Sequence, residues 1–155
     1  MERLDRRLVD LLAADGRMSF TDLGKATGLS TSAVHQRVRR LEERGVVRGY
    51  RAVLDPESVG LPLTALIAVT PFDPSSPDDV PQRLEHVAEI ESCFSVAGDE
   101  SYVLLVRVSK PADLEDLLAR IRSAANVRTR TTVVLSTPWE GRHAAGVDDA
   151  VRSMD

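Results

Sequence analysis

Cysteine occurs once in the 155 residues, at Cys93. A lone cysteine excludes a disulfide framework and a cysteine-rich zinc module. No stretch of 18 apolar residues occurs, so no membrane-spanning helix is expected. The opening Met1-Glu2-Arg3-Leu4-Asp5 lacks the apolar core of a secretory signal, and the expected address is therefore cytoplasmic. Lysine is scarce: 2 of the 20 basic residues are Lys and 18 are Arg. Arginine binds phosphate well, although a GC-rich genome produces the same excess. Also missing are a nucleophile elbow, a P-loop lysine and a dinucleotide fingerprint. The protein is therefore not expected to be an enzyme, and no cofactor is expected. His35, His86 and His143 have no partner at ligand spacing, so no metal site is expected either.

What is present is an ordinary globular mixture, 43% hydrophobic and 28% charged. The net charge of −4 is unevenly spread. Residues 1–52 hold 11 Lys+Arg against 7 Asp+Glu, and residues 53–155 hold 9 against 17. A basic amino-terminal third on an acidic remainder suggests two parts with different partners.

The first part reads as three helices. Leu4, Leu8, Leu11 and Leu12 fall at helical spacing up to about Ala14, and Asp15-Gly16 ends the run. Ser19, three residues before Asp22, is an acidic variant of the capping box and opens a second helix with Leu23 and Ala26 inward. Thr27-Gly28-Leu29 reads as a tight turn with a left-handed glycine. Ser30 caps a third helix with Val34, Val38 and Leu41 inward, which Gly45 stops. This is the geometry of a helix-turn-helix. Val46–Leu54 reads as a short extended segment, and Asp55-Pro56 as a turn.

The second part alternates strand and helix. Strands are expected over Leu63–Thr70, Ser92–Ala97, Tyr102–Val108 and Val127–Leu135. One helix carries Val80, Leu84 and Val87; another starts at Pro111 and carries Leu114, Leu117, Leu118 and Ile121. The order βαββαβ is that of a ferredoxin-like sandwich. Its second sheet face includes Val103 and Leu105, and a partner subunit is the simplest cover for it. The fold class is thus α+β. The boundaries read are 1–52 for the helical domain, 53–62 for a hinge, 63–136 for the sheet domain and 137–155 for a tail. That tail is expected to be loosely ordered or to dock on a neighbour through Trp139.

The third helix presents Thr31, Ser32, His35, Gln36 and Arg39 opposite its apolar stripe, flanked by Arg37 and Arg40. Such a face with a free amino end, capped by Ser30, suits the major groove of double-stranded DNA. The competing reading is a solvated helix surface. Gly98-Asp99-Glu100 reads as a turn with two carboxylates, and adjacent side chains on a hairpin usually diverge. Cys93 lies in an apolar strand and is expected in the core rather than as a nucleophile.

Several stretches together resemble the Lrp/AsnC, or feast/famine, family of transcription regulators. They are Leu4-Asp5, Asp15-Gly16-Arg17 and Leu29-Ser30, then Val34-x-x-Arg37-Val38-x-x-Leu41-Glu42-x-x-Gly45-Val46-Val47, then Gly49-Tyr50 and Asp55-Pro56. Gly98-Asp99, Tyr102-Val103-Leu104 and Val127-Arg128-Thr129-x-Thr131 complete the set, so that the resemblance reaches to about Leu135. The arginine-rich composition and the Gly98–Tyr102 stretch look most like actinobacterial members. The resemblance implies an amino-terminal winged helix-turn-helix and a ligand-sensing βαββαβ domain. It implies homodimers that pair sheets, and octamers built from four dimers. It also implies free amino acids as effectors, held between subunits by Gly98, Asp99, Glu100, Ser101, Tyr102, Thr129 and Thr131. Many members have Asp where this chain has Ser101, a departure that leaves the effector's identity open. The function implied is sequence-specific DNA binding that responds to an amino acid. A ligand-independent architectural DNA-bending protein and an amino-acid-sensing enzyme subunit are the alternatives.

Overall fold

The structure, a computed structural model, describes residues 1–75 and 77–142. They form two compact units, one of residues 1–53 with the described residues from Trp139 onward, the other Leu54–Pro138. The tail from residue 143, His143 included, lies outside the described residues.

The first unit contains α1 (Arg3–Ala14), α2 (Phe20–Thr27) and α3 (Thr31–Glu43). Leu8, Leu12, Leu23, Val34, Val38 and Leu41 form its buried core. Two caps set the starts of α2 and α3. The Ser19 hydroxyl oxygen accepts from the Asp22 amide at 3.1 Å, and that of Ser30 accepts from the Ala33 amide at 3.2 Å. Gly28 ends α2 at φ +73°, the left-handed cap its type favours. Ala26, expected inward, is exposed, and Gly24 is buried in its place. The reason is the close approach of the turn: a Cβ on Gly24 would lie 2.7 Å from the Leu29 carbonyl oxygen.

The segment 46–54 contains no strand, so the described residues lack a paired β wing. The Val46 and Val47 amides both turn back to the Leu41 carbonyl, at 2.9 and 3.2 Å. These bonds close the end of α3.

The second unit contains β1 (Leu63–Pro71), α4 (Val80–Leu84), β2 (Ile90–Ser95), β3 (Tyr102–Val108), α5 (Pro111–Ala125) and β4 (Val127–Val133). The sheet order is β2-β3-β1-β4 and every neighbouring pair is antiparallel. This is the βαββαβ sandwich that the sequence pattern implies. Ala65, Ile67, Val69, Tyr102, Leu104, Val106 and Val108 face the helices and are buried with Leu117 and Ile121. On the opposite face Leu66 pairs with Leu105 and Phe94 with Val103. Leu66 and Phe94 are exposed there, so apolar surface meets solvent.

Three details differ from expectation. α4 is five residues long, and Val87 is buried beyond its end, in a turn closed by the Val87 amide on the Leu84 carbonyl at 3.0 Å. β2 starts two residues early because Ile90 pairs with Val106, and a bulge follows between Ile90 and Ser92. Cys93, expected in the core, is exposed. It lies on an edge strand, where the outer flank has no neighbouring strand to cover it. Partial burial pushes its thiol pKa up, which disfavours the thiolate.

Candidate DNA-binding helix and effector turn

The exposed face of α3 is built by position. Val34, Val38 and Leu41 turn inward, which leaves Thr31, Ser32, His35, Gln36, Arg39 and Arg40 exposed. Ser30 and Ser32 hydroxyls lie 3.1 Å apart at the amino end. The His35 ring meets Phe20 edge-on, with centroids 5.3 Å apart. Arg39 pairs with Glu43 one turn on at 2.9 Å, and both side chains are largely exposed. An exposed pair of this type contributes about 0.3–0.5 kcal/mol, so Arg39 is readily released to another anion.

Arg37 stands apart from this set. Its side chain is only 20% exposed, and Nη1 donates to Asp5 at 2.7 Å and to Glu2 at 2.8 Å, both at the start of α1. The residue grouped with the DNA-facing arginines is therefore engaged inside the helical unit. Asp5 enters the sequence argument only through the Leu4-Asp5 match, with no role assigned to its carboxylate. The signal was visible, because an acidic residue occupies the stripe of Leu8 and Leu12 at i, i+3, i+7.

Four of the seven effector-site candidates divide between the two faces of the sheet, and Gly98, Asp99 and Ser101 form the turn beside it. Thr129 pairs with Val69, and Thr131 with Ile67, both buried on the helix side. Tyr102 is buried on that same side and stands opposite Val69. Thr129 accepts from Arg122 Nη1 at 3.3 Å. Glu100, by contrast, is paired with Arg130, whose neighbour across the ladder is Ala68 on the open face. That pairing holds the Glu100 carboxyl below its ordinary pKa. Ser101 is tied through its backbone, its amide to the Val69 carbonyl and its carbonyl to the Val96 amide, each at 3.1 Å. Gly98 has φ +158°, and Asp99 completes the turn. Thus Tyr102, Thr129 and Thr131 share one side, and Glu100 reaches the other. Arg130 and Asp78 are the participants missed from sequence. Alternation with Arg128 was the one hint of Arg130, and nothing local pointed to Asp78.

The Tyr102 hydroxyl donates to Asp78, and this bond, with burial and the nearby charge, raises its pKa to about 12. Burial, with a 2.9 Å bond to Glu42, raises that of Tyr50 to about 12 as well. These are the only two tyrosines. Both folded values exceed the unfolded value near 10, so the stability they confer is complete below about pH 10 and is lost as the pH rises through about 12. Phenolate absorbance of the folded protein is expected to show no midpoint near pH 10, and Asp78→Asn should restore one for Tyr102. A wild-type midpoint near 10 would mean that at least one of the two hydroxyls lacks its partner.

Among the described residues no helix is long and apolar enough to cross a membrane, and no cluster of three metal-binding side chains occurs. A capped helix-turn-helix joined in one chain to a four-stranded sensor-type sandwich defines a class of regulatory DNA-binding protein. Two family descriptions match the sequence: the AsnC-type helix-turn-helix domain over residues 1–42 and the Lrp/AsnC ligand binding domain over residues 64–144. The chain belongs to the Lrp/AsnC family of transcription regulators. It is 60% identical over 142 residues to the HTH-type transcriptional regulator LrpA of Mycobacterium tuberculosis, covering 92% of this chain and 95% of the relative. It is 34% identical over 140 residues to the leucine-responsive regulatory protein of Escherichia coli, covering 87% and 85% respectively. Among solved structures, a feast or famine regulatory protein from M. tuberculosis complexed with L-methionine superposes with a TM-score of 0.92 at 59% identity, covering 94% of this chain and 99% of that one.

Proposed function

We propose that this protein is a homo-oligomeric transcription regulator that reads double-stranded DNA with α3 and responds to a free amino acid bound near the Gly98–Ser101 turn. The observation that carries the reading is the capped α3, with Thr31, Ser32, His35, Gln36, Arg39 and Arg40 exposed on one continuous face. Gln36 and Arg40 have the donor geometry for base edges, and the Ser30–Ser32 end offers amides to a phosphate. Dimers form through the open sheet face, where Leu66 and Phe94 are exposed beside half-buried Val103 and Leu105 and call for cover. Four such dimers make the octamer. The domain limits 1–52, 53–62, 63–136 and 137–155 belong to the same reading, as do cytoplasmic residence and the lack of enzymatic activity.

For the effector, amides of the turn at 98–100 would take the carboxylate, because the Ser101 amide is already used. Asp99 would take the ammonium, or Glu100 once released from Arg130. The relative solved with L-methionine supports an apolar side chain as the first candidate.

Two experiments test this reading. Arg39→Ala is expected to weaken binding to the cognate duplex by about 1–3 kcal/mol with the fold intact, as for a lost base-edge contact. Unchanged binding would remove α3 from the groove. A thermal-shift screen of the wild type against the free amino acids should give a selective hit, since ligand at 100 times its Kd adds about 2.7 kcal/mol. A flat screen alongside tight, sequence-tolerant binding would favour an architectural role.

A further inference from the structure

Arg37 occupies the DNA-reading helix yet faces away from the exposed set. The helical core of Leu8, Leu12, Val34, Val38 and Leu41 holds α1 against α3 by apolar contact, which has no directional preference. Interdigitated packing alone fixes a helix crossing angle only to within about 15–20°. A charge-assisted hydrogen bond adds a directional constraint. The one nitrogen Nη1 of Arg37 bridges Asp5 at 2.7 Å and Glu2 at 2.8 Å. Asp5 is the one charged residue buried among those described. Glu2 stands at the N-cap position of α1 but makes no capping bond there, so its carboxylate serves Arg37 instead. Two carboxylates against one guanidinium leave the cluster net negative, which repels a phosphate rather than inviting it.

We propose that Arg37, held by Asp5 and Glu2, is a positioning residue that fixes the orientation of α3 on α1 and thereby sets how the exposed side chains meet base edges, without itself touching DNA. The inference rests on the DNA-binding reading above. It predicts that a change on α1, far from any expected base contact, alters sequence discrimination.

The test uses the full chain and a duplex recovered from a random library by selection on the wild type, with a scrambled duplex as comparison. Affinity is measured across a salt series for Asp5→Asn, Arg37→Gln and the double variant. Asp5→Asn removes negative charge, yet it should weaken binding to the selected duplex tenfold or more and to the scrambled duplex much less. The salt slope should stay at the wild-type value, because no phosphate contact is lost. The double variant should bind no worse than the weaker single variant, as expected for one shared interaction. If Asp5→Asn does not fold, Glu2→Gln, at a side chain that is 70% exposed, should give a smaller loss of the same kind. The proposal is overturned if Asp5→Asn or Glu2→Gln binds as well as or better than wild type. It is also overturned if Arg37→Gln lowers the salt slope by about one, which would make Arg37 a phosphate contact. A wild type that enriches no duplex would remove the DNA-binding reading itself, and that outcome is read before any variant is made.

Discussion

Gly24→Val is expected to abolish DNA retention and to unfold the helical unit while the sheet unit keeps its own melting transition. Helix propensity alone points the other way, since glycine inside a helix costs about 1 kcal/mol relative to alanine. Sterics decide the sign. The first atom of any side chain at this position would stand 2.7 Å from the Leu29 carbonyl oxygen. That oxygen is backbone, and it sits in the turn between α2 and α3. The Gly24 carbonyl in turn accepts the Leu29 amide at 3.0 Å. Relief of the clash therefore means opening the turn. Overpacking of this type costs about 1–3 kcal/mol, occasionally more, and a branched residue takes the upper end. Among the described residues the unit has six buried apolar side chains in its core, so its reserve is small. Circular dichroism melts and a duplex-retention assay check the expectation. A Gly24→Val protein that melts and binds like wild type would show that the α2–α3 turn is looser than described.

The same glycine illustrates what a sequence shows and what it hides. Gly28 was legible because a left-handed cap at a helix end has a local signature. Gly24 was not, because its need for a missing side chain arises from the fold-back of Leu29. The strands of the sandwich were legible from period-2 alternation, and β3 was placed at Tyr102–Val108 as observed. β2 was displaced by two residues, since the bulge after Ile90 breaks that alternation. The exposed face of α3 followed directly from its apolar stripe. The inward tie of Arg37 did not, because a position beside the stripe can turn either way. Its choice is set by Asp5, 32 residues earlier. The Gly98–Ser101 turn itself was visible as a glycine followed by two carboxylates. The separation of Glu100 from Thr129 and Thr131 depends on strand register, and no feature within either segment encodes it.

Ile67→Ala is the second large effect, and it tests the sensing unit as the glycine variant tests the reading unit. Ile67 is fully buried on the central strand β1, between Leu104 of β3 and Thr131 of β4. Truncating a buried isoleucine to alanine costs about 2–5 kcal/mol, the transfer term plus the cavity. For a domain of this size each kcal/mol moves Tm by roughly 4–8 °C, so the sheet transition should fall by about 8 °C or more. The helical unit has a separate core, and its transition should stay in place. Ile67 lies away from the Gly98–Ser101 turn in sequence but shares a ladder row with Thr131. If the turn and the β4 threonines form an effector site, ligand at 100 times its Kd returns about 2.7 kcal/mol. That nearly offsets the lower half of the expected loss. The amino acid found in the wild-type screen should therefore raise the Tm of Ile67→Ala by a similar increment, unless the cavity beside Thr131 has weakened binding. A variant that loses stability yet recovers fully with ligand would place the effector contacts on the turn. One that loses both stability and the ligand response would assign a share of those contacts to the β4 row. An unchanged sheet transition in Ile67→Ala would contradict the core itself.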